Sequence, residues 1–144
     1  MSIEANKALI RRYMEAVDTG DVNIVDEFVA PDFVDHSPFP GMTPDREGLK
    51  QAFRFFLTAT PGYHTVHEVI AEGDMVAARI TGWGRHEGEL LGIPATGKDI
   101  QMSGMVFWRI AGGKIVEHWS QTDMVGLLQQ LGAMPSPGMQ SATH

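Results

Sequence analysis

Glu117, Trp119, Gln121 and Asp123 alternate along KIVEHWSQTD, residues 114–123. Side chains in a regular strand alternate between faces, so these four share one face and His118, Ser120 and Thr122 share the other. A carboxylate, an amide and an indole aimed into one pocket are the parts of a proton-transfer site. The carboxylate takes or gives the proton. The amide donates to the oxygen that becomes negative, and the indole gives a flat apolar wall. Burial suits Asp123 to this work, because lost hydration raises a carboxyl pKa. Asp123 also stands where the N-cap of a following helix belongs, and a carboxylate held by backbone N–H groups is a poor base. Gln121 and Trp119 likewise have an alternative reading as cross-strand packing.

Other chemistries are excluded by residue type. The 144 residues include no cysteine, which removes thiolate metal sites, disulfides and thiol nucleophiles. His64 and His67 sit three apart in a strand-like run and point to opposite faces. No H-E-x-x-H pattern occurs, so neither a metal nor a cofactor is expected. GIPATGK lacks a following helix and reads as a hairpin loop, not a phosphate loop. A serine triad lacks its nucleophile elbow. Eleven basic residues against eighteen acidic ones give a net charge of −7, with no basic stripe. That balance argues against nucleic acid and anionic membranes as partners. No apolar run approaches a membrane span, and the first residues are amphipathic, not signal-like. The expectation is a soluble cytoplasmic protein.

The elements that must position these residues follow from period and punctuation. Helical spacing of Ile3, Leu9, Ile10, Tyr13, Met14 and Val17 predicts a helix over 3–18, ended by DTGD. VNIVDEFVA predicts a short second helix. DFVDHSPFPGMTP reads as a brief extended segment followed by a proline-rich loop. Asp45 or Thr43 can cap a third helix over 46–59, stopped by Pro61-Gly62. The period then changes. YHTVHEVIAEG, DMVAARITGWGRHEG, KDIQMSGMVFWRI and KIVEHWSQTD are strand-like, and EGD and AGGK read as hairpin turns. DMVGLLQQLG predicts a closing helix. The expected class is α+β: N-terminal helices on a curved antiparallel sheet, with a short C-terminal helix. Residues 1–134 are expected to form one domain and 135–144 a flexible tail.

DFVDHSPFPG, GRHEGELLGIPATGK, FWRIAGGKIVEHW and TDMVGLLQQLG together resemble the SnoaL-like polyketide cyclase family, over nearly the whole chain from Ala8 to Gly132. The resemblance implies the cone-shaped fold shared with nuclear transport factor 2 and ketosteroid isomerase. It also implies an intramolecular aldol condensation on a polyketide-like ester, with no metal and one aspartate as acid/base. By its place before the last helix, that aspartate matches Asp123.

The resemblance implies further site residues. His36 is expected near the pocket mouth, holding a water or a substrate carbonyl, or else closing loop hydrogen bonds. His86 is expected to face the cavity, or to be structural, and Trp83 to line the same wall. The N-terminal helix covers the cone, which brings Tyr13 toward the ligand. Met105, Phe107 and Trp119 are expected as apolar lining; were they to fill the cone, a non-catalytic binding or dimerisation module would be the better reading. One departure is visible: where the better-studied cyclases carry extra imidazoles, this chain has Phe107, Arg109 and Gln121, and Arg109 can pair with Glu117. The expected partners are a hydrophobic small molecule and a second copy of the chain. Relatives dimerise through the outer sheet face, and the face opposite that of Asp123, with Met102 and Trp108, offers the interface.

Overall fold

Ser2 opens the first helix, its hydroxyl accepting from the N–H of Ala5 at 3.0 Å. This helix, α1 (Ile3–Val17), buries Leu9, Ile10, Tyr13, Met14 and Val17 on one side, as the spacing predicts, whereas Ile3 in its first turn is exposed. The computed structural model describes residues 2–135, so the tail expected over 135–144 lies, from residue 136 on, outside the described residues. The segment VNIVDEFVA is shorter as helix than its pattern suggests. A 3-10 turn (Val22–Ile24) leads into one turn of α2 (Val25–Phe28), and Val29 already begins strand β1 (Val29–Asp35).

Asp45, not Thr43, caps α3 (Arg46–Ala59). Its carboxylate accepts from Gly48 N–H at 2.9 Å and from the Thr43 hydroxyl at 2.7 Å. A Cβ at Gly48 would stand 1.9 Å from the Thr43 carbonyl oxygen, so only glycine permits this entry.

Strands β2 (Gly62–Glu72), β3 (Met75–Arg85), β4 (Asp99–Ala111) and β5 (Lys114–Thr122) form the expected antiparallel sequence. Tight turns through Gly73 and through Gly112-Gly113, all at positive φ, join β2 to β3 and β4 to β5. β1 departs from the antiparallel expectation. It joins the sheet edge parallel to β5, giving the order β1-β5-β4-β3-β2 and a mixed sheet. No hairpin links these two strands, so no turn constrains their relative direction. After β5, α4 (Met124–Gln130) closes the chain.

Two apolar clusters hold these layers. The larger joins α1 and β1 to the sheet through Ile10, Val25, Val29, Val76, Trp108 and Ile115. The smaller gathers Leu90, from the loop between β3 and β4, with Ile100, Leu127 and Leu131, and packs against Phe39, Phe55 and Phe56. The space between the clusters is the cavity described next. No helix among the described residues is long and apolar enough to cross a membrane.

Candidate active site

A cavity of about 300 Å³ lies between the helices and the sheet. Its floor comes from one face of β3 and β4, including Ile80, Gly82, Gly84, Gly104, Val106 and Trp108. Register then decides what β5 contributes. Trp108 pairs with His118, Val106 with Ser120 and Gly104 with Thr122. The cavity therefore receives His118, Ser120 and Thr122, while Glu117, Trp119 and Gln121 turn to the outer face.

This reverses the expected orientation of the strand. The alternation is present, but period two fixes which residues share a face, not which face is inside. Trp108 is 2% exposed, whereas Met105 and Phe107 are 59% and 50% exposed on the outer surface. Met102 and Trp108, expected at a dimer interface, line the cavity instead.

Asp123 is exposed and caps α4, accepting from Gly126 N–H at 2.9 Å. Its own N–H donates to Ser103 at 2.8 Å. Gln121 is exposed beside it. His36 stacks on Trp119, with centroids 4.6 Å apart and planes 3° from parallel. Its Nε2 lies 2.8 Å from Glu117, which also accepts from Arg109 at 2.8 Å, so the expected Arg109–Glu117 pair is present. Arg109 extends this outer network to Asp74. The His36 hydrogen bond, then that from Arg109, holds the Glu117 carboxyl below its ordinary range.

His86 is fully buried, with Nδ1 2.9 Å from the Thr96 hydroxyl and 3.2 Å from the Thr96 N–H. It ties down the loop between β3 and β4 and does not line the cavity. Of the residues expected there, Tyr13 and Trp83 do line it. The Trp83 indole donates to Thr65 at 2.9 Å, beside the Tyr63 ring.

Two imidazole–carboxylate pairs that the sequence reading did not assemble face the cavity. Parallel pairing sets Asp35 of β1 beside His118 of β5, with Oδ1 2.9 Å from Nε2. Asp35 is 6% exposed, also accepts from Ser37 N–H at 2.8 Å, and has the Tyr13 phenol nearby. Burial, then the negative charge of Asp35, pushes the Tyr13 hydroxyl well above its ordinary range, so it remains a proton-bearing donor at any working pH. Phe33 packs edge-on against the His118 ring, 5.3 Å between centroids. At the other sheet edge, His64 Nδ1 lies 2.6 Å from Asp18, the residue ending α1. One signal in the sequence pointed toward the first pair. Asp35 shares the inward parity of Phe33, whereas His36 does not.

Comparison with known proteins places this arrangement. The model of the SnoaL-like polyketide cyclase family matches residues 7–131. The chain is 32% identical over 137 residues to the aklanonic acid methyl ester cyclase of Streptomyces peucetius, covering 90% of this chain and 92% of that one. It is 30% identical to the nogalonic acid methyl ester cyclase of Streptomyces nogalater over 122 residues, covering 83% and 91%. The structure of TsrD from Streptomyces laurentii matches with a TM-score of 0.83 at 30% identity, over 93% of this chain and 99% of that one. AclR from Streptomyces galilaeus, to which a hydroxylase role is ascribed, matches with a TM-score of 0.86 at 28% identity, over 99% and 91%.

Proposed function

The chain belongs to the SnoaL-like polyketide cyclase family, and on that premise we propose that the Asp35–His118 pair closes a ring in a polyketide-like ester by an intramolecular aldol reaction inside the cone. The observation that carries this reading is the pair's position: a buried carboxylate holds an imidazole against a cavity whose walls are mostly apolar. His118 takes the proton from a carbon flanked by carbonyls. That carbon attacks a second carbonyl carbon of the same molecule, and the new C–C bond turns the attacked oxygen into an alkoxide. The proton then returns from His118 to that alkoxide. Asp35 fixes the ring and stabilises the imidazolium between the two transfers. The Tyr13 hydroxyl, kept protonated, donates to the enolate oxygen. Apolar walls strengthen each of these interactions by excluding water.

Every atom of the substrate is retained, so product and substrate have equal mass. The test incubates the protein with aklanonic acid methyl ester and with nogalonic acid methyl ester and follows both by chromatography and mass spectrometry. The expected result is a new species of unchanged mass that fails to form with Asp35→Asn or His118→Gln. Cyclisation persisting in both variants overturns the assignment of the pair. A product heavier by one oxygen points to the hydroxylase role ascribed to AclR. Binding of both esters without turnover points to a non-catalytic carrier.

The same reading covers organisation. Residues up to 134 form one catalytic domain working in the cytoplasm. Two copies meet through the outer sheet face, where Met105, Phe107 and Trp119 lie between the Arg79–Glu68 and Arg109–Glu117 pairs. Light scattering is expected to give the mass of a dimer for the native chain and of a monomer for Phe107→Glu; a native monomer overturns the interface.

A further inference from the structure

Asp18 and His64 have no part in the proton transfer just described, yet both line the same cavity as Asp35 and His118. Resting on the reading of that cavity as the ligand site, we infer that His64 is a second polar pole, which binds an oxygen at the far end of an elongated, planar ligand.

Topology separates the poles. His118 lies on β5 and His64 on β2, at the far edge in the order β1-β5-β4-β3-β2. Register sets His118 level with Trp108 and Val76, and His64 level with Gly82, six residues farther along β3. Three strand spacings of about 4.8 Å across and six residues of about 3.3 Å along put the two positions on the order of 24 Å apart on a diagonal of the sheet. The floor between them is kept low by Gly82 and Gly84 of β3 and Gly104 of β4. Gly82 pairs directly with His64, and a Cβ there would stand 3.6 Å from His64 Cδ2 and 3.8 Å from Nε2. A longer side chain at 82 would lie over that edge of the ring. The glycine leaves the edge open.

Asp18 is committed to orienting the ring. One of its oxygens accepts from His64 Nδ1 at 2.6 Å and the other from the His64 backbone N–H at 3.0 Å. With Nδ1 donating, Nε2 is the nitrogen left for a ligand, and among the described residues it has no hydrogen-bond partner. Beyond the pair, a shallow pocket with Arg11 and Glu15 opens outward, so this pole stands where the cavity approaches solvent. A ligand with oxygen at one end satisfies one pole. A rigid ligand with oxygens at both ends satisfies both.

The test compares the longer 4,4″-dihydroxy-p-terphenyl with 4-hydroxy-p-terphenyl, read by quenching of tryptophan fluorescence, since Trp83 and Trp108 line the cavity. The native protein is expected to bind the diol about tenfold more tightly, the worth of one hydrogen bond. His64→Phe is expected to erase that preference while retaining the monophenol. Equal binding of the two phenols by the native protein, or a preference that survives in His64→Phe, overturns the second pole and leaves the cavity reading standing. Binding of neither phenol overturns the cavity reading, and this inference with it. A measurement on the native chain needs no variant: long-range 1H–15N spectra are expected to show His64 Nε2 shifting on diol addition. A bound diol with Nε2 unmoved overturns the inference.

Discussion

The two faces of β4 and β5 carry similar chemical material and use it differently. Outside, Glu117 is held by His36 and Arg109, Arg109 reaches Asp74, and Trp119 is sandwiched near the guanidinium and the imidazole. These charges neutralise one another in water, where such pairs contribute little. Inside, the polar groups stand among mostly apolar walls, and the Asp35–His118 pair meets a cavity instead of solvent. Residue type is thus a poor guide to which face is reactive. What differs is the surroundings: a paired charge in water is screened, and a like pair beside a mostly apolar cavity is screened less.

Breaking the inner face has the largest expected effect. Asp35→Asn and His118→Gln should each lower cyclisation by roughly 10²–10⁴-fold, the range for loss of an acid/base group, measured under single-turnover conditions. Asp123→Asn and Gln121→Ala should leave it unchanged. The opposite pattern would restore Asp123 as the base and sink the division between faces. A smaller effect sharpens the same contrast. Asp123→Ala should cost about 1 kcal/mol of stability in urea unfolding through loss of the α4 cap, whereas Asp123→Asn, an equally good cap, should cost little.

The smallest effect concerns the outer network. The folded protein holds Glu117 ionised below the usual glutamate value, so this carboxylate stabilises the fold above about pH 4.5. The contribution fades as pH falls through the lowered folded value. Urea midpoints of the native chain and Glu117→Gln should therefore differ at pH 7, and the gap should shrink as the pH falls below about 4.5. A gap that persists in acid would mean that packing, not charge, holds Glu117.

The helices and hairpins were legible because their signals are local. Leu9, Ile10, Tyr13 and Val17 repeat at helical spacing, Asp45 caps α3, and Gly112-Gly113 turns β4 into β5. The inward face was not legible. β4 carries Met105 and Phe107 on one side and Val106 and Trp108 on the other, so apolar pattern cannot choose between them. The parallel pairing of β1 with β5 was also hidden, and Asp35 meets His118 only through that pairing. At Asp123 two signals, a strand parity and a helix start, meet in one residue, and only the helix start is used in the structure.

The parallel join has a kinetic consequence. Neighbouring strands in the run from β2 to β5 are consecutive in sequence, so they can pair early at small cost in chain entropy. The seam of β1 against β5 cannot. Its contacts, such as the Ser120 N–H donating to the Ser37 hydroxyl, close a span of 83 residues. Asp35 reaches His118 only when that span closes, so activity should return late in refolding, after most of the sheet has formed. A chain arrested before that event would have a sheet without the Asp35–His118 pair.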